Sequence, residues 1–94
     1  IEAYLELGQS LQDQRMNDQA LQVYNKAIEQ VSKDPRPYVH AANAYKASRD
    51  FRSAELMLKQ ASQLAPSDQS IRRQLAAVVA QNLLDNLQEA PKRK

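Results

Sequence analysis

The residues best suited to chemistry in this chain are its one histidine, its serines and its carboxylates. His40 could act as a general base toward Ser10 or Ser48, with Asp50 orienting the imidazole, as in a hydrolytic triad. The predicted helices and turns place these four residues apart. No glycine-rich loop is present that could form an oxyanion hole. A nucleophilic active site is therefore not expected.

Other reactive sites have little support in the sequence. Glu2 and Glu6 are one helical turn apart, a spacing that is typical of a solvated helix face. The chain has no cysteine and one histidine, which excludes a thiol nucleophile and multi-cysteine or multi-histidine metal sites. It also lacks a phosphate-binding loop motif. We therefore expect a non-catalytic protein without a metal or cofactor.

Composition points to helices instead. The 94 residues suffice for one domain, with a single glycine, 43% hydrophobic residues and a net charge of +2. Residues 1–34 hold three basic and six acidic residues, whereas residues 35–73 hold seven basic and three acidic ones. No apolar run is long enough for a transmembrane helix. The chain begins with Ile1, so we expect a fragment or a processed chain, and we expect it to act in the cytoplasm.

Apolar spacing and capping residues predict five helices, at about residues 2–14, 18–31, 35–48, 51–64 and 68–89. Asn17, Asp34 and Asp50 are candidate N-caps. Apolar spacing continues through Asn82, where a third helix pair would need a turn. The last segment is therefore predicted to be one long capping helix.

The sequence repeats itself with a period of 34 residues. Identical pairs at this offset include Tyr4 and Tyr38, Arg15 and Arg49, Ala20 and Ala54, Ala27 and Ala61, and Asp34 and Asp68. Small residues recur at Gly8, Ala42 and Ala76, where neighbouring helices must approach, and large ones such as Leu7 and Leu11 should fill the space beside them.

Over about residues 1–81 this pattern resembles the tetratricopeptide repeat family. The resemblance implies an all-α fold, a right-handed α-solenoid of helix pairs. We expect repeat one at 1–34, repeat two at 35–68, a capping helix at 69–90 and a basic tail at 91–94.

The resemblance also implies a scaffold or adaptor that binds a peptide segment of a partner protein in a concave groove. The groove is lined by the first helix of each pair. Carried onto this chain, its residues are Leu5, Gln9, Gln12, Arg36, Val39, His40, Asn43, Lys46, Arg73, Gln74 and Ala77. These side chains are expected to be dispensable for the core. The basic second half predicts an acidic ligand.

One family subtype holds the carboxylate tail of a chaperone with a clamp of charged and amide side chains. The corresponding positions here are Leu5, Gln9, His40, Ser70 and Gln74, and none carries a charged clamp residue. Binding of a chaperone tail in that manner is not expected.

Two alternatives remain open. Leu83, Leu84 and Leu87 extend past the second repeat, and opposite charge at the two ends could favour head-to-tail self-association. Nucleic acid could bind Arg72, Arg73 and the segment 92–94, although the tyrosines fall on packing positions rather than on a stacking platform.

Overall fold

The computed structural model describes residues 1–89, which form five α-helices. The helices are α1 (Glu2–Asp13), α2 (Asn17–Gln30), α3 (Pro35–Ala47), α4 (Phe51–Leu64) and α5 (Gln69–Glu89). Each boundary lies within one residue of the sequence prediction, and the predicted all-α fold is confirmed. The basic tail predicted at 91–94 lies outside the described residues.

The turns inside the two helix pairs have the same geometry. After α1 the N–H of Met16 donates to the carbonyl of Leu11 at 2.8 Å, and after α3 the N–H of Asp50 donates to that of Tyr45 at 2.9 Å. These are the long hydrogen bonds of a Schellman motif. The motif needs a left-handed residue, and here Arg15 (φ 63°) and Arg49 (φ 62°) take that place.

Three carboxylates cap helices. Asp34 accepts from the N–H of Arg36 at 2.9 Å, Asp50 from that of Ser53 at 3.2 Å, and Asp68 from that of Ile71 at 3.2 Å. The predicted cap at Asn17 is wrong, because α2 begins at Asn17 itself and the N-cap is Met16, whose side chain makes no capping bond.

Two clusters of buried residues form the core. The cluster of α1–α3 comprises Leu5, Ala20, Tyr24, Ala41 and Ala44. The cluster of α3–α5 comprises Ala42, Ala54, Leu58, Ala61, Ile71 and Val78. Tyr45 and Met57 pack against both clusters and join them.

Small residues at Gly8 and Ala42 allow the helices to approach closely, as the sequence predicts, whereas the same prediction for Ala76 is wrong, because Ala76 is exposed and no described helix packs on that face of α5. A Cβ added to Gly8 would lie 2.2 Å from Cε1 of Tyr24, so only glycine fits there beside an unmoved Tyr24 ring. Leu7 does not fill the space beside Gly8, because its side chain is 52% exposed. The equivalent residue of the second pair, Ala41, is fully buried by the preceding helices, and no described helix precedes α1.

The fifth helix passes Asn82 without a turn and packs against α4. The amide of Asn82 donates to the carbonyl of Phe51 at 3.1 Å and to Oε1 of Glu55 at 2.7 Å. Asn82 therefore holds the second half of α5 against the start of α4. In the sequence, this residue is notable only because a third helix pair would need a turn there.

Candidate functional site

A pocket of about 230 Å³ lies between α3 and α5, the first helix of the second pair and the capping helix. It is lined by Pro35, Arg36, Val39, His40, Asp68, Ser70, Ile71 and Gln74. Four of the predicted groove residues, Arg36, Val39, His40 and Gln74, therefore share one surface. The pocket combines an apolar wall with amide, imidazole and hydroxyl groups.

His40 presents an unusual hydrogen-bonding group. Its Nδ1 atom is buried and has no hydrogen-bond partner. Its ring lies 5.4 Å from the ring of Tyr24, tilted by 34°. Burial, followed by the positive charge of Arg36, lowers the pKa of His40 below the ordinary 6.5, so the imidazole is neutral at pH 7.

Arg36 is already bound within the chain. Its guanidinium donates to Glu2 at 2.6 Å and to Asp34 at 2.8 Å, and Asp34 also accepts from its Nε. These carboxylates raise the pKa of Arg36, and the guanidinium in turn lowers the pKa of Asp34. The charge of Arg36 is therefore already paired with two carboxylates of this chain.

Two predicted groove residues of α1 have structural roles. Leu5 is only 7% exposed and belongs to the core, so the expectation that it is dispensable for packing is wrong. Gln12 accepts the hydroxyl hydrogen bond of Tyr24 at 2.6 Å, which satisfies that group at the edge of the core. Gln9 is exposed and donates to Asp13 on its own helix at 3.2 Å.

The remaining predicted groove residues lie outside the pocket. Asn43 and Lys46 on α3 are half-buried, whereas Arg73 and Ala77 on α5 are exposed. Arg73 lines a separate open depression with Gln69, Arg72 and Ala76. The structure thus brings together Arg36, Val39, His40 and Gln74 of the predicted site, but not its other residues on α3 and α5.

The catalytic triad considered for His40 and Asp50 does not form among the described residues. The carboxylate of Asp50 accepts from the N–H and the hydroxyl of Ser53 at the start of α4. The hydroxyl of Ser10 accepts from the amide of Gln14 at 3.4 Å. Neither residue is hydrogen-bonded to His40. Residues 1–89 also hold no group of three or more His, Asp or Glu side chains that could bind a metal ion.

The three predicted self-association residues are all exposed on α5. Leu83 is 59% exposed, Leu84 51% and Leu87 67%. They lie beyond Val78, the last residue of α5 that is buried in the core.

Comparison with protein families finds a match to the model of the tetratricopeptide repeat over residues 11–79. The chain therefore belongs to the tetratricopeptide repeat family, whose members generally mediate protein–protein interactions. Comparison with curated proteins gives no match. Within the described part of the chain, no helix has both the length and the apolar character needed to cross a membrane.

Proposed function

We propose that this chain is a non-catalytic, cytoplasmic interaction module of a larger protein or complex, and that it binds an extended peptide segment of a partner protein. The peptide would run along the surface formed by α1, α3 and α5. One of its side chains would enter the pocket between α3 and α5.

The pocket itself is the observation that carries this proposal. Val39 and Ile71 offer an apolar contact for a peptide side chain, while the side-chain amide of Gln74 can bond to peptide amide groups. A concave apolar surface with a few convergent polar groups is typical of a binding site.

The proposal is tested by panning a random dodecapeptide display library against the full chain and measuring the affinity of enriched synthetic peptides. Gln74→Ala should weaken binding by about fivefold, because one hydrogen bond contributes about 1 kcal/mol. Gln63→Ala, which removes the same side chain from the exposed surface of α4, should leave the affinity unchanged. Equal effects of the two substitutions, or the absence of enriched peptides, would contradict groove binding.

We also propose that the peptide ligand is acidic. Because Arg36 is bound to two carboxylates, attraction of an acidic peptide would depend on Lys46 and Arg73. Arg73→Glu should slow association and reduce the dependence of affinity on salt, whereas Arg52→Glu on α4 should do neither. If Arg73→Glu leaves both quantities unchanged, the preference for acidic ligands is wrong even where a peptide still binds.

Self-association through α5 is the second candidate function. It is supported by the exposure of Leu83, Leu84 and Leu87, large apolar side chains that lie close together on one helix. Nucleic-acid binding has no comparable support, because Tyr24 is buried in the core and Tyr38 and Tyr45 pack against it.

A further inference from the structure

The fifth helix carries apolar residues on two opposite faces. Ile71 and Val78 are buried against α4. An exposed outer stripe lies on the other side of the helix and comprises Ala76, Ala77, Ala80, Leu83, Leu84 and Leu87. At 3.6 residues per turn these six residues fall within an arc of about 120°, directly opposite the buried face. The outer stripe therefore points away from the other four helices, and no element among residues 1–89 covers it.

We propose that the outer stripe pairs with the outer stripe of a second copy of this chain, with the two α5 helices antiparallel and the two-fold axis at Ala80. This inference rests on the self-association candidate and specifies its geometry. The two-fold axis makes the contact isologous, so both chains use the same surface and assembly stops at a dimer.

The order of small and large residues along the stripe fits this arrangement. With Ala80 opposite its own copy, the antiparallel helices place Leu83 of one chain beside Ala76 of the other. Leu84 then lies beside Ala77. Each leucine meets an alanine, which lets the helices approach closely and fills the space between them. A parallel pair would instead stack alanine on alanine and leucine on leucine.

Charge also favours the antiparallel direction. Arg72 and Arg73 lie at the start of α5 beside the stripe and are exposed. Parallel helices would bring both arginines against their own copies, and like charges at short range repel. In the antiparallel pair Arg73 lies beside Leu87, where its aliphatic stem covers the leucine and its guanidinium reaches water.

Head-to-tail stacking onto α1 fits less well. Leu7 is the one large hydrophobic residue that α1 exposes, so the three leucines would meet a smaller apolar surface there than on a second α5. The exposed residues one helical turn from Leu7 are Ala3 and Ser10, which add little apolar area.

The contact is short. From Arg73 to Leu87 the helix rises about 21 Å, and a single helix pair of that length buries less than the ~800 Å² per partner of a standard stable complex. The dimer should therefore dissociate in the micromolar range and escape detection in dilute samples.

The first experiment measures the mass of the full chain by sedimentation across a concentration series. The wild type should approach the dimer mass at high micromolar concentration, and the double variant Leu83→Glu, Leu87→Glu should stay monomeric. Leu56→Glu is the matched control, because Leu56 on α4 has the same 59% exposure as Leu83. Leu7→Glu should leave the dimer intact, whereas head-to-tail stacking predicts its loss and masses beyond the dimer.

The second experiment uses the absence of cysteine in the natural chain. Ala76→Cys and Leu83→Cys chains of different tag length are mixed and oxidised. The antiparallel pair should give the mixed disulfide in at least fivefold excess over either homodimer. Leu87→Cys alone should not cross-link, because its two copies would lie about 21 Å apart along the helices.

The outcomes separate the geometry from the function on which it rests. A monomer at every concentration overturns both the geometry and self-association. A dimer in which Leu87→Cys cross-links to itself overturns the antiparallel arrangement and leaves self-association standing. Peptide binding in the pocket between α3 and α5 is measured separately and is not affected by either result.

Discussion

Gly8 and Tyr24 show how one residue pair sets the distance between two helices. The second helix pair has Ala42 and Leu58 at the equivalent positions, both fully buried. A larger ring in the first pair is thus matched by a smaller residue opposite it. The close packing of α1 and α2 therefore constrains the combined volume of the two residues rather than the size of either one.

Gly8→Ala should lower the free energy of unfolding by about 1–2 kcal/mol. The added methyl group clashes with the Tyr24 ring, and the overpacking cost exceeds the ~1 kcal/mol gained from the better helix propensity of alanine. The double variant Gly8→Ala, Tyr24→Leu, which copies the second pair, should recover most of that loss. Urea unfolding measures all three proteins; a double variant no more stable than Gly8→Ala would rule out the steric explanation.

Tyr24 should also make stability sensitive to alkaline pH. Burial, and then the negative charge of Asp13, raises the pKa of Tyr24 from 10.0 to about 12. The unfolded chain loses this proton first, so the contribution is complete below pH 10 and disappears as the pH rises to about 12. Urea unfolding at pH 7, 10 and 11 should show a steeper loss in wild type than in Tyr24→Phe. Parallel curves for the two proteins would contradict this.

At the scale of elements, the two Schellman turns lower the stability of the fold, because neither has glycine at its left-handed position. A residue other than glycine in the left-handed region is disfavoured by roughly 1–2 kcal/mol, and both turns place arginine there. The recurrence of Arg15 and Arg49 at the repeat offset marks these positions in the sequence, but the spacing alone does not reveal their backbone conformation.

Arg15→Gly should raise the free energy of unfolding by about 1 kcal/mol, because glycine adopts the left-handed conformation without a Cβ clash. Gln60→Gly, at an exposed position in the interior of α4, should lower it by about 1 kcal/mol. Thermal and urea unfolding should therefore show a higher stability than wild type for Arg15→Gly and a lower stability for the variant in α4. A shift of the same sign in both would contradict the strain at Arg15.

The helices themselves were predictable from sequence, whereas several side-chain partners were not. Apolar spacing locates all five helices. It does not identify the N-cap of α2, which is Met16 rather than Asn17, because the cap depends on the geometry of the turn that follows α1. Val39, His40 and Gln74 line one pocket, and their role in peptide binding stays a prediction. The pairing of Arg36 with Glu2 cannot be predicted from the sequence, because it depends on how closely α1 and α3 approach each other.

At the scale of the whole molecule, Met57 and Tyr45 connect the two buried clusters. Stacked helix pairs contact mainly their neighbours, so such shared side chains decide whether the pairs unfold together. The wild type should unfold in one transition with coincident curves from circular dichroism and tyrosine fluorescence.

Met57→Ala should lower the free energy of unfolding by about 2 kcal/mol, since it removes a half-buried side chain that fills space between both clusters. The adjacent Leu56→Ala, at an exposed site, should change it by less than about 0.5 kcal/mol. Urea titration measures both. Similar effects of the two substitutions would mean that Met57 does not link the clusters.

The thin, layered shape has a consequence for how the chain acquires its structure. The molecule measures 48 × 32 × 18 Å, and its extensive helix contacts join α1 with α2, α2 with α3, α3 with α4, and α4 with α5. Contacts between neighbours along the chain need little loop closure, and helical proteins of this kind fold in about microseconds to milliseconds. Because a ribosome adds only about 5–20 residues each second, α1 and α2 can pair before α5 has been synthesised. Assembly of this protein can therefore keep pace with its translation, one helix at a time.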